Sequence, residues 1–137
     1  MYDVFTEITL KNGLDVGKAD EGLIEKSEVR QMVLKAVVDT GAWTLVINEE
    51  IRQKLGLKDF GKDWVNLADG GSSPCTIAGP LEVTWQNRRM TCDAIVLPNA
   101  KEVLLGAIPL ETLDLTVNPR LGEVVGVHGD QVLHRLY

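Results

Sequence analysis

The residues with the most chemical promise lie together in Lys35-Ala36-Val37-Val38-Asp39-Thr40-Gly41-Ala42. An apolar run delivers one carboxylate, Asp39, to its end, and Thr-Gly follows at once. A carboxylate so placed can take a proton from water as a general base; once protonated, it can give one to a carbonyl oxygen. Gly41 lets the backbone turn tightly beside it. Taken alone, the tripeptide reads equally well as an ordinary strand-ending turn, because Asp and Gly favour turns and Thr bonds locally.

Other groups with reactive potential are few. The two cysteines, Cys75 and Cys92, and the two histidines, His128 and His134, fit no metal-binding spacing, and no metal or organic cofactor is expected. In a reducing compartment both cysteines read as small apolar fillers rather than a disulfide. Both histidines read as surface or hairpin residues, since nothing pairs them with a nucleophile.

Holding Asp39 in place is a task for strands. The pattern has a period of two almost everywhere, which argues for an all-β chain. Val4-Thr6-Ile8-Leu10 alternates, and Asn12-Gly13 predicts a tight hairpin turn. Strands are expected over Gly22 to Glu25, Arg30 to Val38 and Trp64 to Ala68. Asp69-Gly70-Gly71-Ser72 is a strong turn signal. Cys75 to Trp85 and Met90 to Leu97 should pair around Gln86-Asn87-Arg88, and Val124 to Val127 with Gln131 to Leu136 should close a last hairpin. Pro74 suits an edge strand.

Two short helices interrupt the strands. Asn48 is an N-cap for Glu49 to Leu55, with Gly56 as the stop and two acidic residues in the first turn. Pro109 to Leu113 forms the second, with proline early, where its missing N–H matters least. Trp64 and Trp85 read as strand packing residues, and Tyr2 and Phe5 as packing on the first strand.

With these elements around it, Val37-Val38-Asp39-Thr40-Gly41-Ala42 resembles the active-site loop of the retropepsin-like aspartic proteases. That family's second element is an apolar pair and a glycine, placed after a flap hairpin and before a short helix. Here Val103-Leu104-Leu105-Gly106 leads into Ala107-Ile108-Pro109-Leu110-Glu111. Asp69, Gly70, Gly71 and Ser72 stand where the family has its flap. The order and separation are similar to the family's over Arg30 to Val117, and the likeness is greatest to small bacterial and archaeal members.

The resemblance implies a closed all-β barrel of the acid-protease type, with one or two short helices and a flap hairpin. It implies an endopeptidase in which two carboxylates share one proton, because like charges about 3 Å apart cannot both ionise. It gives Asp39 the catalytic role and Thr40 a hydroxyl bond across two loops, with Gly41 and Ala42 completing the loop. Leu105 and Gly106 would pack behind it. Only one Asp-Thr-Gly is present, and Asp114 and Asp130 lack a following Thr-Gly. The second carboxylate must then come from a second copy across a two-fold axis. The implied partners are that second copy and a peptide or protein substrate.

Three positions depart from the family. Trp43 stands where a small or acidic residue is usual, and is read equally as pocket lining or core. Ala107 replaces the basic residue of retroviral members, and the flap has no tyrosine. A different class of function, a peptide-binding or dimerisation module with the same fold, needs no turnover. Intact Asp39-Thr40-Gly41 argues against it, because a binding-only module has no reason to hold two carboxylates together.

Composition agrees with this reading. A chain of 137 residues, 45% apolar and 25% charged, suits one folded soluble domain over residues 1–137. A net charge of −6 without a basic stripe argues against nucleic acid. No run of about 18 apolar residues exists to cross a membrane. Met1 to Leu10 shows no basic-then-apolar leader, so the expected compartment is the cytoplasm.

Overall fold

The computed structural model describes residues 3–67 and 69–133. Its strands are β1 (Phe5–Asn12), β2 (Gln31–Val38), β3 (Leu45–Ile47), β4 (Lys58–Asn66), β5 (Ser72–Trp85), β6 (Arg88–Val96), β7 (Val103–Leu105), β8 (Leu115–Asn118) and β9 (Glu123–Gly126). The helices are α1 (Gly13–Asp20), α2 (Glu49–Leu55) and α3 (Ala107–Thr112), with a 3-10 turn at Lys26–Glu28.

Six strands close on themselves in the order β1-β2-β7-β3-β6-β5, and β5 returns to β1 with Thr9 opposite Thr84. Closure removes the unpaired edges that an open sheet would leave. Alternation sorts the side chains: β1 turns Ile8, Leu10 and Asn12 inward. Ile8, Leu10, Leu45, Ile47, Leu81, Val83, Val96 and Leu105 then meet at the centre, each almost completely buried. This is the closed barrel that the family resemblance implies; the alternating pattern by itself predicts only an all-β chain. β4 stands outside the ring and pairs only with β5, so the two form a hairpin that projects from the barrel.

Helix α2 follows the sequence signals closely. The Asn48 side chain accepts the Ile51 N–H at 2.9 Å, and Gly56 ends the helix in the left-handed region at φ 62°.

Several elements differ from expectation. The described residues form three α-helices rather than one or two, because Asn12-Gly13 does not close a hairpin. Asn12 is extended, at φ −64° and ψ 116°, and its side chain accepts the Asp15 N–H at 3.0 Å, starting α1. The same amide donates to Leu55 O at 2.8 Å, so one buried asparagine caps the start of α1 and the end of α2. A two-residue hairpin turn of the expected type needs positive φ, and the capping bonds outweigh it. Residues Gly22 to Ile24 are turn and bend rather than strand, with Gly22 at φ 76°, and Glu25 is extended but unpaired. Glu25 and Glu28 bracket the 3-10 turn as a capping box.

The last hairpin is also paired differently. β9 runs back against β8, Leu115 opposite Gly126, and only an isolated bridge joins His128 to Gln131. Residues 134–136 of the expected hairpin lie outside the described residues, as do Ala68, Tyr2 and His134. Arg88, expected in a turn, is 4% exposed and ties this region to the barrel. Its Nη1 donates to Leu113 O and Asp114 O, both at 2.9 Å, and its Nη2 donates to Gly129 O. The guanidinium also lies over the Trp85 ring, 5.5 Å from its centre. Trp85 is buried as expected and donates its indole N–H to Thr6 Oγ1 at 2.7 Å.

Candidate active site

β2 carries Asp39 to the end of the barrel, and the chain crosses to β3 by a loop over the end of β7, which lies between those two strands. Backbone bonds hold this loop. The Asp39 N–H donates to Leu105 O at 3.0 Å, and the Ala42 N–H donates to Asp39 O at 3.1 Å. The start of α3 then grips it from behind: the N–H groups of Ala107 and Ile108 donate to Ala42 O and Trp43 O at 2.9 and 3.1 Å. One oxygen of the Asp39 carboxylate accepts the Gly41 N–H at 2.9 Å.

Gly106 sits where β7, the loop and α3 meet. A Cβ there would lie 2.4 Å from Thr44 O and 2.6 Å from Ala42 O, both backbone atoms of the loop. Only glycine permits that approach. Leu105, its neighbour, is fully buried in the core. Asp39 is half-buried, and Thr40 and Gly41 are exposed at the turn.

Asp39, Gly41, Ala42 and Trp43 line one side of a cavity of about 630 Å³. Asp63, Trp64, Val65, Asn66 and Leu67 line another, and Val46, Cys75, Ile77, Ile95, Leu97 and Leu104 complete it. The cavity therefore lies between the Asp39 loop and the projecting hairpin. Asp69, Gly70, Gly71 and Ser72 are at the tip of that hairpin and do not line it. There the Leu67 N–H donates to Gly71 O at 2.8 Å, Asp69 accepts the Gly71 N–H at 2.8 Å, and Gly70 takes φ 89°.

Two tryptophans are placed by the structure rather than by pattern. Trp43 is 64% exposed and faces the cavity, so it is not core. Trp64, expected to pack within a sheet, is 68% exposed on the same cavity. The available signal was positional: a strand of the projecting hairpin has no second sheet to pack against. Asp63, beside it, also escaped the sequence reading.

The thiols are chemically quiet. Burial pushes the Cys92 thiol up to about 12, with Asp93 adding to it. Burial and the nearby Asp63 also raise Cys75, which forms part of the cavity wall. Neither offers a thiolate near neutral pH. Among the described residues, no group of three or more histidine, cysteine or acidic side chains is placed to hold a metal, and no helix is long and apolar enough to cross a membrane.

A second cavity, of about 640 Å³, is lined by Glu111, Thr112, Asp114, Leu115, Val127, His128 and Leu133 and by nothing from the Asp39 loop. His128 is exposed, as expected, and it is also tied to the fold: its Nδ1 lies 2.7 Å from Asp114 Oδ2.

A closed barrel whose Asp-Thr-Gly loop is braced by an apolar strand, a glycine and a short helix is the acid-protease architecture. Residues 26–108 match the aspartyl protease family, and the chain belongs to that family. No curated protein matches it.

Proposed function

We propose that the protein is a homodimeric aspartic endopeptidase in which Asp39 and Asp39 of the partner subunit form the catalytic dyad. The observation that carries this reading is the state of Asp39. It is fixed by a braced backbone at the edge of a peptide-sized cavity, yet the chain gives its carboxylate a single N–H donor among the described residues. The other carboxylate of the cavity, Asp63, belongs to the projecting hairpin and lacks a braced loop. A second copy supplies an identical braced carboxylate.

In this mechanism one Asp39 is ionised and the other protonated, and the pair titrates as a unit. The ionised carboxylate takes a proton from water, whose oxygen attacks the peptide carbonyl carbon. The protonated one donates to the carbonyl oxygen. Collapse of the tetrahedral species breaks the C–N bond and returns a proton to the leaving amine. An extended substrate would lie between the Asp39 loops and the β4–β5 hairpins, pairing its backbone with strand edges. The hairpins would cover it and exclude water.

Subunit mixing tests the shared site. Wild-type and Asp39→Asn chains are combined in equal amounts and allowed to exchange, and peptide hydrolysis is measured. Random pairing leaves about a quarter of the all-wild-type activity at the same total protein, because one pair in four has both carboxylates. Retention of about half would mean independent sites and refute the dyad. A protein that binds peptides without cutting them would be a binding module of the same fold.

A further inference from the structure

The cavity beside Asp39 has a charge pattern that peptide hydrolysis alone does not require. Among the described residues its lining holds two carboxylates, Asp39 and Asp63, and no lysine or arginine. Asp63 sits on β4 opposite Cys75, and one of its oxygens accepts the Trp64 N–H at 2.8 Å. Among the described residues no cation of the chain pairs with it. Two indoles share this space, Trp43 from the loop and Trp64 from the hairpin, each more than three-fifths exposed. Aromatic surface left open on a cavity gains by being covered, and an indole face is the best side-chain partner for a cation.

We propose that this cleft selects a basic side chain of the bound peptide, arginine or lysine. Its aliphatic stem lies along the apolar wall of Val46, Ile77 and Leu104, and its charge is met by Asp63 and an indole face. The proposal rests on the reading of the cleft as the peptide site. An apolar side chain would cover the tryptophans but strip water from Asp63 without a counter-charge. An acidic one would face two carboxylates. Arginine satisfies both features, since its planar head stacks on an aromatic ring while donating to a carboxylate. The chain's net charge of −6 favours the approach of cationic peptides.

Peptides that differ only by arginine, norleucine or glutamate at one position, moved in turn along the sequence, test this on the full chain. Cleavage is measured with the wild type, and binding of the same labelled peptides by fluorescence anisotropy with Asp39→Asn. At one position arginine should exceed norleucine by about five- to tenfold in both assays, as a partly solvated ion pair with a cation–π contact allows. Asp63→Asn, made alone or with Asp39→Asn, should bring that ratio near unity, and Asp63→Lys should shift preference to glutamate. A reversal of that kind cannot come from partial unfolding. Norleucine preferred at every position, or an arginine preference that survives both Asp63 substitutions, overturns the proposal even if the peptides are cut. Asp63-dependent arginine binding without cleavage by the wild type leaves it standing and sinks the endopeptidase reading. No binding of any peptide overturns both.

Discussion

Asp39 and Asp114 are both aspartates at turns beside apolar segments, yet the chain treats them in opposite ways. Asp114 is 7% exposed and takes φ 57°. Its Oδ2 accepts the Leu133 N–H at 3.2 Å and lies 2.7 Å from His128 Nδ1, and Arg88 donates to its backbone oxygen. The His128 hydrogen bond, chiefly, and the Leu133 N–H hold its carboxyl below the usual carboxylate range. Asp39 is half-buried beside a cavity and, among the described residues, accepts one N–H, from Gly41. Acceptor capacity spent on the chain's own donors makes a fastener. Capacity left open on a cavity remains for a ligand or a second copy.

The sharpest way to break that comparison is to neutralise each carboxylate in turn. Asp39→Asn should lower turnover by about a thousandfold or more, the range expected when an acid–base group is lost. Its melting temperature should stay near that of the wild type, because no buried partner is abandoned. Asp114→Asn should do the reverse, lowering the melting temperature while the folded protein keeps its turnover. Parallel calorimetry and initial-rate measurements check both. An Asp114→Asn protein that melts normally and has lost turnover would erase the distinction.

Arg88 gives the next effect, because it holds the Asp114 region to the barrel. Arg88→Met removes the donors to Leu113 O, Asp114 O and Gly129 O at a site closed to water. The cost should be about 3 kcal/mol, as for a buried hydrogen-bond network that loses one side. Urea unfolding monitored by far-ultraviolet circular dichroism checks it. A change under about 0.5 kcal/mol would show that the region contributes as a surface feature only.

These two regions also differ in how far the sequence reveals them. The Asp39 loop, α2 and the long β5–β6 pair are legible because local signals and tertiary packing agree: an apolar strand into Asp-Thr-Gly, a capped helix, alternating strands. Asn12-Gly13 misleads because two structures compete for it, and the winning one uses Leu55 O, 43 residues away. Arg88 is invisible for the same reason. Its partners are carbonyls brought near by β8 and β9, and no local pattern marks a buried arginine. Asp63 and Trp64 were missed because alternation shows which faces a strand has, and says nothing of whether a second layer exists to cover them.

The smallest expected effect lies in acid, and it sharpens the comparison most finely. Asp114 has its folded-state pKa lowered, and so does Asp15, chiefly through its hydrogen bond to the Arg30 guanidinium, with Nε–Oδ2 at 2.8 Å. A carboxyl depressed in the folded state binds fewer protons there than in the unfolded chain, so stability rises with pH through that window. The stabilisation is fully present above the ordinary carboxylate range, about pH 4, and is lost as pH falls through the depressed values. Melting temperature should therefore be flat from neutrality to about pH 5 and fall below it. A dyad sharing one proton instead gives a bell-shaped rate with its optimum below about pH 7. The two profiles should separate under substitution. Asp114→Asn should flatten part of the acid slope in melting temperature, while the rate profile of the folded protein stays in place. The share of the slope that is left belongs to Asp15 and to Glu49, which its hydrogen bond from Arg52 also holds low. A rate optimum that moves with Asp114→Asn would couple the fastener to the chemistry, and the contrast between the two aspartates would fail.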